Sequence, residues 1–202
     1  MDILNTLSLK SNRQIKINFD GGDLSSDAGL LLIQEFAAKI GFLKLIKKKF
    51  KTNDKSVRFH KDDENLMQMI YQVISAYFED DCADELTLDP VFNAILEKDR
   101  LASQPTLSRF FNRMDEGTLL QFDDIDISLR DIIYSIKYPE HMLLDLDSTL
   151  FGTYGSQEGE GFNFHYQAHG YHPLLCYDGL TVDLLKAELI SSRKHLLSDP
   201  AP

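Results

Sequence analysis

Asp145 and Asp147 stand two residues apart in "MLLDLDST", a short apolar run closed by a carboxylate, a serine and a threonine. Residues i and i+2 of a strand share a face, so both carboxylates would point to the same side. Hard cations take oxygen ligands, and Mg²⁺ commonly binds through one or two carboxylates together with phosphate oxygens. Two such ions can activate a water or sugar hydroxyl and stabilise the leaving oxygen of a phosphodiester. An unpaired carboxylate inside a core is expensive. The pair therefore calls for a cation, an exposed strand end, or a different local structure. The spacing alone also fits a solvated strand terminus or a helix N-cap, and these alternatives stay open.

Two further groups of side chains could carry chemistry. His165, His169 and His172 lie in "FNFHYQAHGYHP". The i, i+4 spacing of the first two would suit a helix, but Gly170 and Pro173 oppose one. No cysteine or second carboxylate completes a zinc set there, so loop or strand-surface histidines are the expectation. Arg100, Arg109 and Arg113 follow or lie within two short helical segments, "DPVFNAILE" and "SQPTLSRFFNRM", joined by "KDRLA". As a helix-turn-helix, the pair would offer these arginines to DNA phosphates. As two packed helices, it would leave them in solvent. No Gly-rich loop ending in Lys-Ser/Thr and no Gly-x-Ser-x-Gly elbow occurs, so P-loop hydrolysis and serine-hydrolase chemistry lack support.

The elements that must position these residues fall into two regions. In the first, residues 1–12 read as polar and frayed, and "QIKINF" alternates as a half-buried strand. Ser25 or Ser26 is the expected cap of a helix through Leu30, Leu31, Ile33 and Phe36. A second helix over 42–50 would segregate Phe42, Leu45 and Ile46 from its lysines. "DDENLMQMIYQVISAYFED" is the clearest helix, acidic at its start and apolar at Leu66, Met69, Ile70, Val73, Ile74 and Tyr77. Asp89-Pro90 and Ser103-Gln104-Pro105 each read as a cap followed by a first-turn proline, and residues 118–136 as a further helix. After Pro139 the pattern changes to strand, glycine-rich loop, and two strands about a turn at Asp178–Gly179. The reading is α+β, with a helical region over 1–138 and a sheet-rich region over 139–202.

Bulk properties narrow the function classes. The 202 residues carry 21 Lys and Arg against 32 Asp and Glu, a formal net charge of −11. That average argues against a duplex-DNA binder, whose affinity comes largely from cations on phosphates. The charge is uneven, however: "KIGFLKLIKKKFK" is locally basic and "EDDCADE" locally acidic. Cys82 and Cys176 fit no metal or redox spacing and are expected to be small buried hydrophobes. With no signal pattern and no apolar run near the ~20 residues of a membrane span, a cytoplasmic protein without membrane contact is expected.

Four stretches, in order, resemble the DDE transposases of bacterial insertion sequences: "FDGGDLSSDAGLLLIQEF", "DPVFNAILEKDRLASQPTLSRFFNRM", "LLDLDSTLFGTYGSQEG" and "YHPLLCYDGLTVDLLKAEL". The resemblance implies a ribonuclease-H-like catalytic domain whose first strand is "MLLDLD". It implies that Asp147 is the first of three carboxylates binding Mg²⁺ or Mn²⁺, with Asp145 as a supporting neighbour. It further implies that the helical region helps bind transposon-end DNA, with double-stranded DNA as partner and substrate. Assembly as a homo-oligomer is compatible with that reading. Family members continue beyond "LLKAEL", so the resemblance implies a truncated chain, inactive by itself and lacking the later carboxylates. The alternative expectation is a non-catalytic DNA-binding or dimerisation remnant that modulates a full-length transposase.

Overall fold

Residues 6–19, 21 and 25–189 are described by the computed structural model. The chain divides into two compact units, Met1–Ile132 and Ile133–Pro202. Helices dominate the regular structure of the first and antiparallel strands that of the second, so the α+β expectation holds. Among the described residues no helix is long and apolar enough to cross a membrane.

The first unit is built around α3 (Asp62–Ile74), against which α2 (Phe42–Lys49), α5 (Pro90–Leu96) and α6 (Gln104–Phe111) pack. Helix α1 (Leu30–Lys39) packs on α2 and α5, and α4 (Cys82–Glu85) on α6. A 3-10 turn at Leu86–Leu88 leads from α4 into α5, and α7 (Glu116–Ile136) carries the chain into the second unit. Tyr71, Phe92, Phe110 and Ile46 are the largest apolar side chains at the centre, each at most 1% exposed. Removing a side chain of this size from water contributes about 1.5–3 kcal/mol. Phe50 joins the helices to α7, edge-on to Phe110 and tilted against Phe122.

Local signals explain several boundaries. Asp89 accepts hydrogen bonds from the amides of Val91 and Phe92, both at 2.9 Å, while Pro90 opens α5. Glu64 accepts from the Lys61 amide at 3.0 Å and closes the first turn of α3. Three expectations are corrected. Residues 6–8 are not frayed: β1 (Thr6–Ser8) pairs antiparallel with β2 (Lys16–Asn18), so Thr6 lies opposite Asn18. Neither Ser25 nor Ser26 caps α1; the N-cap is Gly29, and the Ser25 hydroxyl instead accepts from the Asp27 amide. The buried face of α3 is Asn65, Leu66, Met67, Gln68, Tyr71 and Gln72, whereas Val73 and Ile74 are exposed.

That rotation has a chemical cause. The Gln68 side chain donates to the Ala102 carbonyl at 2.8 Å and accepts from the Ala102 amide at 2.9 Å. One buried amide thus satisfies both backbone groups of the residue that leads into α6, leaving neither orphaned.

In the second unit β3 (Leu144–Ser148), β7 (Pro173–Asp178) and β8 (Asp183–Leu189) form an antiparallel sheet in the order β3-β7-β8. A second sheet has the order β4-β6-β5, from Phe151–Gly152, Ala168–Tyr171 and Gly161–Asn163 respectively. The pairings Asp147↔Leu175 and Phe151↔Tyr171 keep one register, so β4 and β6 prolong the β3–β7 ladder past a break. Asp178, 1% exposed, accepts from the amides of Leu143 and Leu180 and pins the β7–β8 turn to the start of β3. Gly170 sits where the ladder resumes: a Cβ there would lie 2.3 Å from the Phe151 carbonyl oxygen.

Candidate metal centre and anion surface

Asp145 and Asp147 occupy alternate positions of β3, opposite Tyr177 and Leu175 of β7, and so share one face of the sheet. Every residue of β3 is exposed, Leu144 at 58% and Leu146 at 60%. Of the alternatives left open by the sequence, the exposed strand applies here: water solvates both carboxylates. One oxygen of Asp147 accepts from the Ser148 amide at 2.8 Å, which orients the carboxylate at the strand end. Beyond it Ser148 still pairs with Leu174 and its carbonyl accepts from the Tyr166 hydroxyl at 3.3 Å, and the ladder then breaks before β4.

These two carboxylates fit a hard cation held through one or two acidic side chains plus phosphate oxygens and water. Among the described residues no group of three or more His, Cys, Asp or Glu side chains is placed to hold a metal ion. The histidines are engaged elsewhere: His172 faces the Asn163 amide at 3.1 Å, and His169 lies 3.8 Å from Glu160. Both cysteines are free and half-buried.

The three arginines separate into different settings. Arg113 donates to Asp62 at 3.0 Å and to the Arg109 carbonyl at 3.0 Å, with its guanidinium over the Phe110 ring. Its side chain is only 14% exposed, so it braces the end of α6 against the start of α3. Burial pushes the Asp62 carboxyl up, but hydrogen bonds from the Thr52 hydroxyl and amide and from Arg113 outweigh it. The net effect holds Asp62 below the usual carboxylate range. Arg100 lines a cleft with Asp84 and Glu85. Arg109 is exposed on α6, and its guanidinium donates to the Thr106 hydroxyl at 3.4 Å. Helices α5 and α6 both pack on α3.

Arg109 and Arg113 line a cleft of about 450 Å³ with Arg58 and His60. Arg58 and His60 also line a second cleft, of about 330 Å³, together with Lys47, Lys48, Lys51 and Lys61. Burial pushes the His60 imidazole below its usual range, and the charges of Lys98 and Arg100 push it further the same way. The basic segment after residue 39 was legible in the sequence; its meeting with the arginines of α6 depends on the fold and was not.

Comparison with known proteins gives one family. The family model described as "Transposase DDE domain group 1" matches residues 7–198. No curated protein and no solved structure matches the chain.

Proposed function

The chain belongs to the DDE transposases, and from that premise we propose that Asp147 is the first metal-binding carboxylate of a phosphodiester-cutting site, with Asp145 beside it. The observation that carries this reading is the pair of carboxylates on one exposed face of β3, with Asp147 oriented by the Ser148 amide one residue before the strand ends. The antiparallel order β3-β7-β8 supports assigning the second unit to a ribonuclease-H-like catalytic domain that opens with β3. The activity would be that of a bacterial insertion-sequence transposase: cleavage at element ends, then transfer of the new 3′-hydroxyl to target DNA.

Mg²⁺ or Mn²⁺, when bound, supplies a Lewis acid that activates the attacking oxygen and stabilises the leaving one. The chain's own contribution is positional. The paired ladder holds the backbone of β3 rigid, while the Ser148 amide fixes one Asp147 oxygen and leaves the other for a ligand. Asp145 adds a second negative charge to the same face, two residues away. No covalent protein intermediate belongs to this scheme.

Iron-directed scission tests the assignment. Fe²⁺ replaces Mg²⁺ at oxygen sites and, with ascorbate and peroxide, cuts the polypeptide beside its ligands. The expected result is scission around residues 145–148 that disappears in Asp147→Asn. A fragment pattern unchanged by that substitution would overturn the assignment.

A further inference from the structure

We propose that the two adjoining clefts of the first unit form one continuous surface for the phosphodiester backbone of duplex DNA, with Lys47, Lys48, Lys51 and Arg109 as its free cations and with Arg58 and Lys61, which pair with Asp54 and Glu64, beside them. The inference rests on the transposase reading for its choice of polyanion, and on the clefts for its location.

The clefts are contiguous because Asp54, Arg58 and His60 line both. Including the brace Arg113, seven Lys and Arg side chains line them against three carboxylates, Asp54, Asp62 and Asp63. In a chain with 32 acidic and 21 basic side chains, this concentration reverses the overall balance. Two of the carboxylates are already committed, Asp62 to Arg113 and Thr52, and Asp54 to Arg58. By contrast, the ammonium groups of Lys47, Lys48 and Lys51 are exposed and have no ion-pair or hydrogen-bond partner among the described residues.

Three elements hold the surface in place. The last turn of α2 presents Lys47 and Lys48, α6 presents Arg109, and the segment between α2 and α3 presents the rest. That segment is itself anchored: the Lys51 amide donates to Gln121 at 2.9 Å, and Thr52 donates to Asp62. Val57 and Phe59 flank Arg58 on it and are exposed, Phe59 at 70%. Apolar edges among fixed cations suit a partner that offers sugar faces as well as phosphates, which a small anion does not. Burial, Lys98 and Arg100 hold the His60 imidazole below its usual range against the opposing charge of Glu64, so it is not counted among the cations of the surface.

The test is anisotropy of a fluorescent duplex of about 25 base pairs, titrated with the full chain across salt, where log affinity falls by about 0.9 per phosphate neutralised for each log unit of salt. The variant Lys47→Gln/Lys48→Gln/Lys51→Gln/Arg109→Gln removes four exposed cations. Lys10→Gln/Arg13→Gln/Lys16→Gln/Lys39→Gln removes four from outside both clefts. The expected result is an affinity loss of about tenfold or more and a salt slope shallower by about three to four in the first variant only. Equal behaviour of the two variants would overturn the surface and leave the DNA reading standing. Absence of salt-sensitive duplex binding by the native chain would also overturn the surface. Iron-directed scission at Asp147, which needs no DNA, judges the transposase reading separately.

Discussion

Asp62 shows how one carboxylate can be structural while another, 85 positions later, is available for a ligand. It takes hydrogen bonds from Thr52 and Arg113 and tethers three parts of the chain. Its carboxyl is held below the usual range in the folded state, so its contribution is present above the unfolded value, near pH ~4. That contribution is lost as pH falls through the folded value. Asp62→Asn should therefore destabilise the first unit by about 1–3 kcal/mol at neutral pH. The gap between native and variant should narrow as the pH drops below ~4, which urea unfolding at several pH values would show. A gap that stays constant would mean that the ion pair contributes nothing. Arg113, the partner, is a brace; Arg109, one turn earlier, is the arginine of α6 left for an anion.

At the scale of elements, the β3–β4 and β6–β7 segments keep one antiparallel register, and the break between them follows Ser148, one residue after Asp147. Gly170 permits the close approach where pairing resumes. Gly170→Ala should force β4 away from β6 and lower the unfolding midpoint of the second unit, by an amount typical of overpacking, about 1–3 kcal/mol. Hydrogen exchange should show the loss first in the amides that pair β4 with β6, and unchanged protection there would contradict this account. What the sequence makes legible follows from locality. Asp89-Pro90, the Asp178–Gly179 turn and the alternation in "MLLDLD" are short-range signals, and each marks the element seen. The buried face of α3 is not legible, because Gln68 turns inward only to meet Ala102, 34 residues away. The strand β1 is missed for the same reason: its partner, rather than its own composition, makes it a strand.

Over the whole molecule, the formal charge of −11 and the basic clefts are compatible because the lysines and arginines are gathered rather than spread. An average of this kind hides a surface assembled from residues 47 to 109, and only the placement of α2, α6 and the segment between α2 and α3 reveals it. The carboxylate pair shows the opposite case. Its meaning is nearly complete in the sequence, since two residues on one strand need no long-range contact to share a face. The family match over residues 7–198 makes the chain a DDE transposase, and the metal role proposed for the pair rests on that membership. The claim that Asp147 holds a divalent metal is tested most directly by Mn²⁺ titration of the native chain, Asp147→Asn and Asp145→Asn, read by the Mn²⁺ spin-resonance signal. The account predicts saturable binding by the native chain, weakened by about tenfold or more in Asp147→Asn and less in Asp145→Asn. Binding of equal strength in native and Asp147→Asn would contradict it.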